Sequence, residues 1–153
     1  LEIVDADNHG VGDLVVTTLT NEYMPLLRYR IGDLAEKQVT PYGNHYTIHG
    51  RARDALTAGD GRRVTTWQVD QFFTEAQGVA HYELRQNEDG ACVLRFIPDG
   101  SGPTGETVRR ITAQLQERLQ IPGEIKTEAM PTLVPAASGK FRLTCRAAAT
   151  ASA

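Results

Sequence analysis

The sequence predicts an α+β fold in which a small antiparallel β unit is followed by a small sandwich-type α/β domain. Residues 1–49 consist of short β-branched runs between turns and carry no helical periodicity. After residue 50, strand-like runs alternate with an amphipathic helical pattern. This change of character predicts two domains, residues 1–49 and residues 50–153.

Four short strands account for the first domain. Clusters of Gly, Pro, Asn and Asp separate the apolar runs and indicate turns. Gly32-Asp33 is expected to turn the chain after the third strand, and Pro41–Asn44 before the fourth. The predicted strands cover Leu1–Val4, Leu14–Leu19, Leu26–Arg30 and Tyr46–Ile48.

The second domain is predicted to open with a β-hairpin and a helix. The hairpin covers residues 51–64, with the turn-rich tetrad Ala58–Gly61 at its tip. Thr65 or Thr66 can cap a helix over Trp67–Glu75.

Strands and a longer helix complete the second domain. Apolar residues recur at helical spacing between residues 108 and 119, with Arg and Glu opposite, and predict a helix with one core face. Strands are predicted at Val79–Gln86, Ala91–Ile97 and Ile125–Met130, and the chain is predicted to be loop from Ser138 onward.

Composition restricts the classes of function. A formal net charge of −3 argues against a nucleic-acid partner, because such binders usually carry a basic patch. No apolar run approaches the roughly 18 residues that a membrane span needs. Two cysteines make no disulfide framework, so a reducing, cytoplasmic location fits best. The four histidines lack metal-ligand spacing, so no protein-held metal is predicted.

The segment Tyr29-Arg30-Ile31-Gly32-Asp33 is the first candidate for a site. A carboxylate after a glycine turn at a strand end can accept hydrogen bonds from two vicinal hydroxyls, as on a ribose. The alternative interpretation is that Asp33 only caps a turn, as most Gly-Asp pairs do.

Gly50-Arg51-Ala52-Arg53-Asp54 is the second candidate and lies at the predicted domain boundary. A long cation at a hinge can exchange partners between two domain orientations. The alternative is a solvated Arg-x-Arg-Asp sequence on a hairpin, which is common.

Two glycine-containing turns supply further candidates. Gly61 at the hairpin tip would let backbone approach a ligand, although glycines here also suit an ordinary tight turn. Near the C-terminus, Ser138-Gly139-Lys140-Phe141-Arg142 places a lysine on a loop preceded by glycine. Such a lysine can be delivered into an active site as a mobile point charge, or can simply be solvated surface.

These segments, in this order, resemble the closing part of the adenylate-forming, AMP-forming acyl-CoA ligases, and most nearly those of the phenylacetate-CoA ligase type. The resemblance covers nearly all of the chain. It departs from the family pattern at Ile31, where Thr is frequent, at Arg53, where Asp or Lys is usual, and at Thr66, where Pro is usual.

The resemblance implies a role for each candidate residue. Asp33, Arg51 and Arg30 would bind the nucleotide, with Asp33 and Arg51 on its ribose. Lys140 would be catalytic, lying between the substrate carboxylate and the α-phosphate. Arg53 would be the hinge, and Gly61 would approach the pantetheine of CoA.

The resemblance also implies an activity that extends beyond this chain. The whole enzyme would use ATP and Mg²⁺ to join a carboxylic acid, such as an aryl acid, to AMP, and would then pass the acyl group to CoA. Residues 1–49 would be the terminal β subdomain of the large adenylation domain, and residues 50–153 the small mobile domain. Because the chain begins at Leu1 inside a strand-like run, we expect a cut that removes the N-terminal part, and we expect this fragment alone to be inactive.

Two other functions remain open at this point. One is a non-catalytic module that binds a nucleotide or an acyl-carrier protein. The other is an adenylating enzyme that feeds a carrier protein or an amine rather than CoA.

Overall fold

Antiparallel pairing organises the first part of the chain in the computed structural model, which describes residues 1–135 and 139–147. Four strands pair in chain order, each with the next. Their bounds are β1 Glu2–Val4, β2 Val11–Val16, β3 Tyr29–Thr40 and β4 Gly43–Arg51. The apolar residues Val11, Leu14, Val15, Leu34 and Ala35 of the central strands are buried.

The third strand differs from the sequence expectation. We predicted a turn at Gly32-Asp33, but β3 runs through both residues and pairs with β2 on one side and β4 on the other. The fourth strand is also longer than the predicted Tyr46–Ile48. The glycine is accommodated by a left-handed backbone, with φ of +82° at Gly32, rather than by a reversal of the chain.

The chain divides into two compact units, residues 1–53 and residues from Asp54 onward. In the second unit a short hairpin, β5 Leu56–Thr57 with β6 Arg63–Val64, leads into helix α1, Thr66–Asp70. Thr65 begins this helix with a capping box, because its hydroxyl accepts from the Gln68 amide while the Gln68 side chain accepts from the Thr65 amide.

A mixed four-stranded sheet and a second helix form the body of the second unit. The strands are β7 Val79–Gln86, β8 Cys92–Pro98, β9 Ile125–Ala129 and β10 Thr144–Arg146, in the order β10-β7-β8-β9. The hairpin strands β7 and β8 are antiparallel, whereas β9 and β10 flank them in parallel.

Helix α2, Thr104–Leu119, confirms the predicted core face. Its residues Val108, Ile111, Leu115 and Leu119 are buried in one cluster with the inward side chains of β7 and β8. Cys92 belongs to the same cluster as a small buried residue and forms no disulfide.

Two element predictions in the second unit were wrong in their bounds. Helix α1 ends at Asp70, and hydrogen-bonded turns continue the chain where helix was predicted up to Glu75. The predicted C-terminal loop contains β10, which pairs in parallel with β7; Ser138 itself lies outside the described residues. No helix among the described residues is long and apolar enough to cross a membrane.

Candidate functional site

Asp33 and Arg51 face each other across β3 and β4 in the first unit. The two residues are register partners, and the Arg51 Nε atom lies 3.0 Å from the Asp33 Oδ1 atom. Arg51 also donates from Nη1 to the Ile31 carbonyl oxygen over 2.8 Å. The arginine therefore holds the carboxylate in a fixed orientation, while the second carboxylate oxygen keeps its capacity to accept hydrogen bonds.

The Arg51 guanidinium borders an open cleft on the same unit. Ile31, Gly32, Arg51, Ala52 and Arg53 line this cleft, whose volume is about 480 Å³. A Cβ atom at position 32 would lie 3.8 Å from Arg51 Nη1, and the positive φ there disfavours any side chain. Glycine thus leaves backbone exposed beside the guanidinium, where a ligand can approach closely.

Arg30 has a different environment from the one that the sequence resemblance implied. Its guanidinium donates to the Asp5 carboxylate over 2.7 Å and also to the Asp13 carboxylate. The hydrogen bond to Asp5 is the main cause of a raised pKa for Arg30. The structure thus binds Arg30 to two carboxylates of its own sheet region, and nucleotide binding by Arg30 stays a prediction.

Arg53 occupies a single 3-10 turn, Ala52–Asp54, and its side chain is exposed. The residue that follows it is fixed to the C-terminal part of the chain. The Asp54 carbonyl oxygen accepts a hydrogen bond from the Thr144 hydroxyl over 2.8 Å, and Arg142 lies 3.6 Å from the Asp54 carboxylate. Asp54, the residue after Arg53, is therefore held by the C-terminal part of its own unit.

Lys140 is exposed and follows Gly139, whose φ is +74°. The residues after it are held in place: Arg142 lies 3.6 Å from the Asp54 carboxylate, and the Leu143 carbonyl oxygen accepts from the Leu84 amide over 2.8 Å. Thr66 and Thr144 hydroxyls then meet at 2.6 Å in the interior. The lysine thus lies in solvent upstream of a firm attachment to β7 and α1.

Gly61 lies in the β5–β6 turn with φ of +84° and nothing within 4 Å of a Cβ atom built on it. The turn itself closes through a hydrogen bond from the Gly61 amide to the Ala58 carbonyl oxygen. This geometry accounts for glycine through the turn and also leaves room for a ligand over the backbone.

Sequence reasoning missed the contacts that attach the C-terminal segment. Arg142 and Thr144 both bind Asp54, and no local pattern announces pairing between residues so far apart in the chain. Of the predicted site residues, the structure brings Asp33 and Arg51 together in the first unit. Gly61 and Lys140 belong to the second unit.

The described residues contain no group of three or more His, Cys, Asp or Glu side chains placed to hold a metal ion. The Mg²⁺ expected from the family resemblance therefore has no ligand set among them and stays a prediction for the whole enzyme.

Solved structures of adenylate-forming ligases share this fold. A 2-hydroxyisobutyryl-CoA ligase in the postadenylation state with 2-HIB-AMP aligns with a TM-score of 0.64 at 21% identity, over 90% of this chain and 32% of its own. The chain thus has the fold of the closing part of an adenylate-forming ligase. An anthranilate-CoA ligase, AuaEII, in complex with anthranoyl-AMP shares this ligase fold with a TM-score of 0.58 at 20% identity, over 90% of this chain and 30% of its own.

A fatty acyl-adenylate ligase from a study of the E. coli and L. pneumophila enzymes also has the ligase fold, with a TM-score of 0.53 at 18% identity, over 75% of this chain and 20% of its own. The chain spans about a third of the length of the CoA ligases that it matches. No family model and no curated protein matches it.

Proposed function

We propose that the chain is the C-terminal part of a cytoplasmic, ATP-dependent, AMP-forming carboxylate–CoA ligase. The Asp33–Arg51 pair beside an open cleft carries this proposal, because it stands at the motif positions where the ligase family binds ribose. The ligase fold of the surrounding chain supports it. Residues 1–49 would end the large adenylation domain, and residues 50–153 would form the small mobile domain.

Different residues act in the two half-reactions. In the first, a substrate carboxylate oxygen attacks the α-phosphorus of ATP and pyrophosphate leaves. Asp33 accepts hydrogen bonds from the ribose hydroxyls, Arg51 orients Asp33, and Lys140 offsets the charge that builds on the phosphate. In the second, a thiol attacks the acyl carbonyl and AMP leaves, after rotation about Arg53 has brought the Gly61 turn to the pantetheine of CoA.

The exposed apolar surface of the first unit supports a missing N-terminal part as partner. The connection between β2 and β3 is ordered by two hydrogen bonds between Thr18 and Leu26. It nevertheless exposes Leu19, Tyr23 and Leu27 by more than four-fifths. Large apolar side chains clustered on one connection are typical of a surface that another part of the protein covers.

The substrate belongs to the carboxylic acids. The phenylacetate resemblance favours an aryl acid, and the neighbours include ligases named for an aryl acid, anthranilate, and for a hydroxy acid. The acceptor thiol is proposed to be CoA. A fatty acyl-adenylate ligase among the neighbours favours transfer to another acceptor, such as a carrier-protein thiol, as the second candidate.

Carboxylate-dependent pyrophosphate exchange by the full-length enzyme tests the proposal. Panels of aryl, hydroxy and fatty acids should include at least one that supports exchange, and CoA and a carrier thiol are then compared as acceptors. The 153-residue chain alone should support no exchange. A full-length protein that binds nucleotide but exchanges with no acid would identify a non-catalytic module instead.

Lys140→Ala separates the two half-reactions. It should abolish acyl-adenylate formation and largely spare thioester formation from supplied acyl-adenylate. Lys126→Ala is the matched control, because it removes the same charge from an exposed position on β9. Equal loss of both half-reactions in Lys140→Ala would refute the assigned role.

Arg53→Pro tests the hinge. Proline fixes φ and removes the backbone N–H at that position, so the substitution should mainly slow the thiol step. An unchanged rate of thioester formation would exclude Arg53 as the hinge.

A further inference from the structure

The face of the second unit's sheet that points away from α2 carries charged side chains in cross-strand pairs. Glu83 on β7 is the register partner of Arg95 on β8, which in turn is the partner of Glu128 on β9. Arg95 lies 3.8 Å from the Glu83 carboxylate and donates to the Glu128 carboxylate over 3.0 Å. These two carboxylates are therefore committed to Arg95.

A cavity of about 260 Å³ lies on this face. Its charged lining consists of Arg85, Arg95 and Arg142 with one carboxylate, that of Glu83. Arg142 already lies 3.6 Å from Asp54. The lining therefore carries a net positive charge. Its one carboxylate, that of Glu83, pairs only with Arg95.

Arg85 differs from the other two arginines. Its Nε atom is buried and has no hydrogen-bond partner among the described residues. No carboxylate within the described part of the chain lies in salt-bridge range of its guanidinium. Its Nε–H is enclosed, so a ligand in the cavity would meet the terminal nitrogen atoms of this guanidinium, which has no ion-pair partner to give up.

We propose that this cavity binds an oxyanion, the phosphate or carboxylate group of a small ligand, through Arg85 and Arg142. The guanidinium fork of Arg85 matches an oxyanion with two parallel hydrogen bonds. The Phe141 ring packs edge-on against the His81 ring, with 5.1 Å between the ring centroids. It adds an apolar wall for the rest of the ligand. The cavity volume lies below that of drug-sized pockets, so the ligand is small.

Cys145 also lines the cavity and adds no negative charge to it at neutral pH. Burial and the carboxylates of Glu83 and Asp54 raise the pKa of its thiol, and the opposing effect of Arg85 and Arg142 is smaller.

Titration of the ¹⁵N-labelled 153-residue chain tests the site. Inorganic phosphate and benzoate are added in separate experiments at constant ionic strength, and the Arg85 Nε–H and the Cys145 amide resonances are followed. We expect a saturable shift of both with at least one of the anions. Saturation by phosphate alone identifies a phosphate site, and saturation by benzoate alone identifies a carboxylate site.

Substitutions of Arg85 test whether the anion binds in this cavity. Arg85→Gln should weaken binding by about tenfold or more, since it removes a charge-assisted pair of hydrogen bonds. Arg85→Lys keeps the charge but loses the fork and should weaken binding by less, and it carries the test if Arg85→Gln does not fold. Arg109→Gln on the exposed side of α2 is the matched control and should bind like the wild type.

Two results would overturn the proposal. One is a shift that grows linearly with both anions and never saturates. The other is equal affinity in the wild type and in both Arg85 variants.

Discussion

Thr144→Val tests how firmly β10 and the end of the lysine segment are held. The Thr144 side chain is 1% exposed, its hydroxyl donates to the Asp54 carbonyl oxygen over 2.8 Å, and it meets the Thr66 hydroxyl at 2.6 Å. Valine has nearly the same shape, so the substitution removes the hydroxyl without opening a cavity. The Asp54 carbonyl and the Thr66 hydroxyl then lose a partner in the interior.

The expected magnitude follows from those two groups. Leaving a buried polar group unsatisfied costs about 1–3 kcal/mol. Thr66 is only half-buried, so water can replace part of its lost bond. We therefore expect β10 to open more easily by about 1–3 kcal/mol in total, which corresponds to roughly a 5- to 150-fold larger open population.

Native-state hydrogen exchange measures this opening directly. The Leu84 amide donates to Leu143 and the Ala147 amide to Gln86, both over 2.8 Å, so both amides are protected only while the C-terminal segment is docked on β7. Their exchange should accelerate by the factor above. The Met130 amide, bonded to Phe96 at the other edge of the sheet, should be unaffected.

Thr112→Val is the matched control, because the Thr112 hydroxyl bonds only to the Arg109 carbonyl of its own helix. Unchanged exchange at Leu84 and Ala147 in Thr144→Val would show that the Thr144 hydroxyl does not hold β10. Equal acceleration at both edges of the sheet would show global destabilisation and would also refute the local reasoning.

Three further predictions concern burial and capping. Burial lowers the pKa of His49 below 6.5, although the charge of Glu36 opposes the shift. As the pH falls, the unfolded chain therefore takes up a proton at this histidine before the folded chain does. The thermal midpoint of the first unit should fall as the pH drops below about 6.5, and His49→Gln should flatten that slope. Burial raises the pKa of Cys92 to about 11 and also raises that of Cys145, so mass spectrometry after iodoacetamide treatment at neutral pH should find both thiols unmodified in the native protein and alkylated in denaturant. Thr65→Ala removes the capping box of α1 and should lower the stability of the second unit by about 1 kcal/mol, measured by urea unfolding.

Local periodicity predicted most of the second unit correctly. The spacing of apolar residues along α2, the alternation along β7 and β8 and the threonine cap of α1 are properties of a few consecutive residues. Each of these signals identifies the side chains that face the core. It can therefore be read from the sequence of one element, without knowing what that element packs against.

Long-range pairing explains the predictions that were wrong. Gly32-Asp33 has the composition of a turn, but Asp33 pairs with Arg51 of β4, and Arg30 and Leu34 on either side pair with β2, so the strand continues through the glycine. Three residues suffice for β10 because β7 offers an edge to which Thr144–Arg146 pairs in parallel. Neither partner is visible in the local sequence, so propensity alone gives the wrong assignment.

The candidate site also combines features that the local sequence shows with features that depend on tertiary structure. Glycine turns and the residues beside them marked Asp33, Arg51, Gly61 and Lys140 as candidates, and the structure pairs the first two. The Asp54 contacts of the C-terminal segment depend on tertiary structure, so they could not be predicted from the motif in which Asp54 stands.

Three arginines show that surroundings, rather than residue type, decide which cation can bind a ligand. Arg30 donates to two carboxylates, so a ligand anion would have to displace an existing ion pair. Arg51 shares one carboxylate, remains half-exposed at the cleft and can add a ligand contact while it still orients Asp33. Arg85 lines a cavity and has no carboxylate in salt-bridge range among the described residues, so a bound oxyanion would be an ionic partner that displaces none. The gain from binding an anion therefore rises from Arg30 to Arg51 to Arg85, and ligand-binding experiments on this chain should detect Arg85 first.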